Sequence, residues 1–134
     1  MKSLKVKDYM STKLVTFKIG TNVVEAMDIL LKNDYSGAPV LDEAGKLVGI
    51  LSEVDIMKVV VQDSYYDESM GIVDDYMHSP VDTVDPEVDI YAVAEMFIEQ
   101  KRRRFPVVRE GKLIGQISRQ DVLRAMEAFL QHKA

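Results

Sequence analysis

Gly45-Lys46-Leu47-Val48-Gly49-Ile50-Leu51-Ser52-Glu53-Val54-Asp55 and Gly111-Lys112-Leu113-Ile114-Gly115-Gln116-Ile117-Ser118-Arg119-Gln120-Asp121 are one segment written twice. In each, a turn glycine opens an apolar run, a second glycine interrupts it, and Ser-x-x-Asp closes it. The register holds further out. Pro39-Val40 returns as Pro106-Val107, Thr16 as Thr83, and Val6-Lys7-Asp8-Tyr9-Met10 as Val73-Asp74-Asp75-Tyr76-Met77. The offset slips by one residue, in the turn where Ala44 has no counterpart. A tandem repeat kept in register over this length organises the chain.

Each copy has the same local grammar. Leu14 to Phe17, matched by Val81 to Val84, is a short β-rich run. A helix follows, its apolar residues Val23, Ala26, Met27, Leu30 and Leu31 in the first copy and Ile90, Val93, Ala94, Phe97 and Ile98 in the second. Both sets follow i, i+3, i+4, i+7, i+8, one stripe of a helix. Pro39-Val40-Leu41 and Leu47 to Leu51 are two strands around an Asp42-Glu43-Ala44-Gly45 turn. Pro106-Val107-Val108 and Leu113 to Ile117 repeat them around Arg109-Glu110-Gly111. A last helix is expected to begin near Asp55 or Asp121. One unit of about 50 residues buries too little surface to be comfortably stable alone. The expected fold is therefore α+β, two βαββα repeats packed as a pseudo-twofold pair in one module over 1–134. Repeat 1 is placed at 6–57, a connector with Tyr65 and Tyr66 at 62–72, repeat 2 at 73–123, and the helix end and tail at 124–134.

Composition narrows the function. The 134 residues are 47% hydrophobic and 29% charged, enough for a core and unlike a disordered chain. No apolar run is long enough to span a membrane, and Met1-Lys2-Ser3-Leu4 does not read as a secretory signal. A cytoplasmic, non-membrane protein is expected. The absence of cysteine excludes disulfides, thiol catalysis and thiolate metal sites. A net charge of -5 disfavours a nucleic-acid polymer as partner, though a local basic cluster can hold a small anion.

The joint order of strand, helix, Pro-Val strand, Gly-Lys-Leu-Val-Gly turn and Ser-x-x-Asp helix start resembles the CBS domain. It occurs twice, from about Val6 to Leu123, and looks like a stand-alone CBS pair. The resemblance implies a disc with two clefts between the repeats that bind AMP, ADP, ATP, S-adenosylmethionine or a similar adenosyl compound as a regulatory ligand. It implies that Asp55 and Asp121 bond ribose hydroxyls and that Ser52 and Ser118 meet phosphate. It further implies that backbone at Ala38-Pro39 and Phe105-Pro106 lines the base pocket, and that Thr16 and Thr83 lie in the cleft. It also implies a homodimer and an unidentified regulated protein.

The residue types suit that chemistry. A carboxylate accepts both hydrogen bonds of a ribose diol, and a helix start favours its negative charge. The hydroxyl and free N–H groups of the same helix start can meet phosphate. Gly49 and Gly115 permit close backbone approach by a strand or a ligand. The plainer alternative is that Ser-x-x-Asp is a capping box that only starts the helix; the two roles are compatible.

The copies differ most at Lys101-Arg102-Arg103-Arg104, against Asp34-Tyr35-Ser36-Gly37. Lys101 and Arg102 read as cations of a helix end. Arg103 and Arg104 stand at the mouth of the expected cleft, where guanidinium groups hold phosphate bidentately. Arg119 adds charge where Glu53 would repel it, so the clefts are expected to be unequal, the more basic one taking the nucleotide. The position before each motif Asp, basic in many family members, holds Val54 and Gln120. Phe105 reads as core or as a ring stacked on adenine.

His78 and His132 have no acidic partner at ligand spacing, so no metal site is expected. Tyr9-Met10 and Tyr76-Met77 read as packing anchors. No catalytic constellation or phosphate-binding glycine loop is found, so an enzyme is not expected. The competing reading is a structural or dimerisation module with no ligand. The C-terminal stripe Val122, Ala125, Met126, Phe129 and Leu130 is either core or partly a dimer surface.

Overall fold

The computed structural model describes residues 3–66 and 70–133. Part of the expected connector, and the side chains of Tyr65, Tyr66 and His132, lie outside the described residues. The elements run β1 (Phe17–Lys18), α1 (Val23–Asn33), β2 (Gly37–Leu41), β3 (Leu47–Ser52), α2 (Glu53–Tyr66), α3 (Ile90–Glu99), β4 (Arg104–Arg109), β5 (Lys112–Ser118) and α4 (Arg119–Lys133). Short 3-10 turns at Val6–Asp8 and Val73–Asp75 open the two halves. The α+β class and the twofold repetition of elements follow the sequence reading.

The compact units are not the contiguous repeats. One unit is Val15–Val81; the other, a split unit, joins residues up to Leu14 to those from Asp82 onward. Each therefore takes its opening segment from the other sequence repeat. In the 15–81 unit, the Val23 N–H donates to Gly71 O (3.0 Å) and the Val73 N–H to Thr21 O (2.8 Å). In the split unit, Ile90 N–H donates to Leu4 O (2.7 Å) and Val6 N–H to Val88 O (2.9 Å). The anchors read in the sequence serve these composite cores. Tyr76 and Met77 pack on the cluster of Phe17, Val23, Leu30, Val40 and Leu51. Tyr9 and Met10 pack on that of Ile90, Val93, Phe105, Val107 and Ile117.

The helices start where side chains replace missing backbone partners. Asn22 caps α1 by accepting from the Val24 N–H, and Asp89 caps α3 by accepting from the Tyr91 N–H. Val23, Ala26 and Leu30 are buried along α1, as are Ile90 and Val93 along α3. Leu31 and Ile98, expected in the stripe, are exposed. Eight residues along a helix carry a side chain about 80° from the start of the stripe, past the edge of a small core.

The first strand of each copy is shorter than expected. Only Phe17 and Lys18 form β1, parallel to β2 with Phe17 opposite Val40. In the second copy only Val84 pairs, as a single parallel bridge to Val107. The register explains the truncation. One step back, Thr16 falls opposite Pro39 and Thr83 opposite Pro106, and proline has no N–H to continue a ladder. The hairpins β2–β3 and β4–β5 are antiparallel as expected. The helices after them start at Glu53 and Arg119, two residues before the expected Asp55 and Asp121.

Gly49 and Gly115 mark the places where an opening segment crosses a hairpin. A Cβ on Gly115 would lie 2.6 Å from Met10 Sδ and 2.9 Å from Ser11 O, and one on Gly49 would lie 2.5 Å from Met77 Sδ and 3.1 Å from His78 O. The close approach allowed by glycine is used by backbone of the same unit. Gly115→Ala is expected to destabilise the protein by about 1–3 kcal/mol. Gly49→Ala should cost less, because the methionine there can swing away while the carbonyl stands further off. Urea unfolding of both variants measures the order.

Candidate functional site

In each unit the hairpin runs directly into the next helix, and the junction is the Ser-x-x-Asp segment. Ser52 precedes the first residue of α2. Its Oγ accepts from the Asp55 N–H (3.2 Å), while Asp55 Oδ2 accepts from the Ser52 N–H and hydroxyl, each at 2.8 Å. Ser118 and Asp121 repeat the arrangement. Asp121 N–H donates to Ser118 Oγ (3.2 Å) and Ser118 N–H to Asp121 Oδ2 (2.9 Å). These are reciprocal capping boxes, which satisfy helix-start donors that would otherwise lack partners. Both carboxylates are buried, Asp55 at 7% exposure and Asp121 at 9%.

Capping uses one oxygen of each carboxylate. The second oxygen is held differently in the two units. Asp55 Oδ1 lies 2.7 Å from His78 Nε2. Asp121 Oδ1 accepts from Arg124 Nη2 at 2.7 Å, one helical turn onward. His78 is fixed by two backbone hydrogen bonds with Ile50, at 2.8 and 3.0 Å; Ser11 makes the matching pair with Gln116, at 2.8 and 2.9 Å. Asp55 is thus the acidic partner of His78 that sequence spacing did not reveal. Twenty-three residues separate them, and only the exchanged opening segment brings them together. Arg124 was also missed, although its i, i+3 spacing from Asp121 is a local signal.

Burial by itself raises the Asp55 pKa. Hydrogen bonds from the Ser52 N–H, from His78 and from the Ser52 hydroxyl, with the charge of His78, outweigh burial and hold it below the ordinary value of 3.8.

The hairpins sort the remaining residues by face. Direct antiparallel partners share a face, and successive residues alternate. In the 15–81 unit, Ala38, Val40 and Leu51 turn into the core, so Gly37, Pro39, Ile50 and Ser52 share the outer face. In the split unit, Phe105, Val107 and Ile117 turn inward, so Arg104, Pro106, Gln116 and Ser118 share the outer face. Thr16, half-buried, and Thr83, exposed, stand beside the prolines by register. The Phe105 ring packs 4.7 Å from that of Phe97 and is fully buried. It is core and cannot stack on a base.

The basic run is arranged differently from its sequence reading. Helix α3 ends at Glu99, so Lys101 and Arg102 lie beyond it. Arg102 Nη2 pairs with Asp82 Oδ2 at 2.9 Å, and its carbonyl accepts from Arg119 Nε at 2.8 Å. Arg103 is exposed, and Arg104 is half-buried opposite Ser118. The split unit thereby gathers Arg102, Arg103, Arg104 and Arg119 around the start of α4. Glu53 is the exposed residue at the corresponding start of α2.

The CBS domain pattern matches residues 6–62 and 73–128. The crystal structure of CBSX2 in complex with AMP is similar at 31% identity and a TM-score of 0.81, covering 98% of this chain and 100% of that one. The CBS domain pair of MJ0100, in complex with 5-methylthioadenosine and S-adenosyl-L-methionine, is similar at 27% identity and a TM-score of 0.76, covering 93% of this chain and 97% of that one. The A-adding tRNA nucleotidyltransferase of Geobacter sulfurreducens is 32% identical over 95% of this chain, which spans 14% of that enzyme's length.

The lowered Asp55 pKa fixes the sign of an acid dependence. Its contribution to stability is complete above the unfolded-state value and lost as pH falls through the folded-state value. Asp55→Asn is expected to flatten the loss of stability below about pH 4. Urea unfolding between about pH 2.5 and 6 tests this, and an acid limb as steep as that of the unsubstituted protein would refute it.

Proposed function

Because this chain belongs to the CBS domain family, whose domain it carries twice, we propose that it is a non-catalytic regulatory module that binds an adenosyl ligand. AMP, ADP, ATP, S-adenosylmethionine or a similar compound is the ligand class. The observation that carries this reading is the pair of buried carboxylates, Asp55 and Asp121, each at the start of the helix that follows a proline-bearing hairpin. A carboxylate at that place offers two acceptors to a ribose diol. Support comes from CBSX2, described with AMP, and from MJ0100, described with S-adenosyl-L-methionine and 5-methylthioadenosine.

In this reading Ser52, Asp55, Thr16 and the Ala38-Pro39 backbone form one site. Ser118, Asp121, Thr83, the Phe105-Pro106 backbone, Arg103, Arg104 and Arg119 form the other, and its greater positive charge favours phosphate. Ligand binding replaces His78 on Asp55, or Arg124 on Asp121, by ribose hydroxyls. A ligand that prefers the conformation with the side chain released shifts the population toward it, and a regulated protein reads that shift.

Self-association is a second element of the proposal, favoured by one observation. Val122 and Ala125 of α4 are buried and Phe129 meets Tyr91 edge-on at 6.0 Å, but Leu123 and Leu130 are exposed. An apolar helix face left open in this way suits a homodimer.

Thermal unfolding with AMP, ADP, ATP, S-adenosylmethionine and methylthioadenosine tests the ligand. At 100 times Kd a true ligand adds about 2.7 kcal/mol, a shift of several degrees. Asp55→Ala and Asp121→Ala should each remove the response of one site. No shift with any compound would leave a purely structural or interaction module. Leu123→Glu with Leu130→Glu is expected to yield monomer in sedimentation; an unchanged sedimentation coefficient would refute the dimer surface.

A further inference from the structure

Gln116 is a buried polar residue of β5, 8% exposed. Its backbone is satisfied, since its N–H donates to Ser11 O (2.9 Å) and its carbonyl accepts from the Ser11 N–H (2.8 Å). Its side-chain carboxamide has no hydrogen-bond partner among the described residues. A buried amide without a partner weakens a fold, and native proteins keep few of them. The fold does not require it here, because the equivalent position in the other hairpin, opposite Pro39, is Ile50.

Its position indicates what it is for. Gln116 pairs with Pro106 and shares the outer face of the hairpin with Ser118 and Arg104. It lies two residues before Ser118, about 7 Å along the strand. Ser118 and Asp121 are the sugar and phosphate end of the proposed site, so Gln116 is displaced from them toward the base end, beside the strand proline. A carboxamide presents a donor and an acceptor side by side. Adenine presents its N6 amine beside N7 in the same spacing, and the pair forms two hydrogen bonds. Hypoxanthine presents two acceptors on that edge and cannot match it.

We propose that Gln116 reads the base at the split unit's site, selecting adenine over hypoxanthine, while the 15–81 unit, with Ile50, lacks this discrimination. The proposal rests on the adenosyl reading above and adds to it the residue that sets base specificity. The unpaired carboxamide is then a group held ready for a ligand. A site built around such a group rejects compounds that leave it unpaired much more strongly than an apolar pocket rejects an added or missing group.

The experiment uses Asp55→Asn protein, in which the split unit's site remains, and titrates it calorimetrically with AMP and IMP. AMP should bind tighter than IMP by about tenfold or more. Adding Gln116→Ile, which copies the residue of the other hairpin, should weaken AMP by about tenfold and bring the AMP to IMP ratio near one. The ligand-free melting temperature should hold or rise, because a buried unpaired amide is removed. Gln116→Glu keeps the shape but loses the donor to N7, and should weaken AMP in the same way. AMP binding with an unchanged ratio in both variants would overturn this proposal alone. So would loss of AMP binding in Asp55→Asn protein when the unsubstituted protein binds it. No binding of any adenosyl compound to the unsubstituted protein would overturn the adenosyl reading and this proposal with it.

Discussion

The crossing of each opening segment over a hairpin glycine is the contact on which the rest of the structure depends. At Gly115 the chain passes as Met10-Ser11, and at Gly49 as Met77-His78, so near that a methyl group would collide. Each crossing is closed by two backbone hydrogen bonds, Ser11 with Gln116 and His78 with Ile50. These bonds complete a compact unit from pieces distant in sequence. They insert Val6 and Val73 into cores whose other members come mainly from the following or preceding repeat. A contiguous repeat would lack this element of its core, which is why the unit of duplication and the unit of packing differ.

The same crossings determine the environment of the helix starts. A Ser-x-x-Asp capping box is a local device and forms wherever a helix follows such a segment. What the second carboxylate oxygen meets differs between the units, distant in sequence for Asp55 and local for Asp121. In the 15–81 unit it meets His78, delivered by the crossing segment; in the split unit the residue delivered is Ser11, and Arg124 supplies the partner from within α4. Two copies of one motif thus acquire different electrostatic partners. Each carboxylate is at once a structural cap, through one oxygen, and an acceptor for a second side chain through the other. In the proposed function stability and binding would draw on the same atoms, so substitutions at Asp55 or Asp121 would act on both, whereas those at His78, Arg124 and Gln116 would separate them.

The asymmetry extends across the outer faces of the hairpins. Gly37, Pro39, Ile50 and Ser52 on one face correspond to Arg104, Pro106, Gln116 and Ser118 on the other. Proline and serine are common to both and keep the shared architecture. The residues between and beside them are small and apolar in one unit, charged and polar in the other. One repeated scaffold thus carries two chemically distinct surfaces.

Much of this was legible without coordinates. The order of strands and helices, both hairpins, the α1 and α3 stripes and the capping serines follow from periodicity and turn chemistry, which act over a few residues. The sequence by itself also determined that Thr16 and Thr83, Pro39 and Pro106, and Asp55 and Asp121 are equivalent pairs, because a repeat kept in register places them so. The tertiary structure alone decided which opening segment belongs to which core, that His78 meets Asp55, that Phe105 is core, and that Gln116 is buried with its carboxamide unpaired among the described residues. It also began β1 only at Phe17 and left Leu31 and Ile98 exposed. The reason is physical. Helical periodicity and capping are satisfied within one turn of chain, whereas burial and the meeting of His78 with Asp55 depend on segments that come together only after the chain has crossed itself.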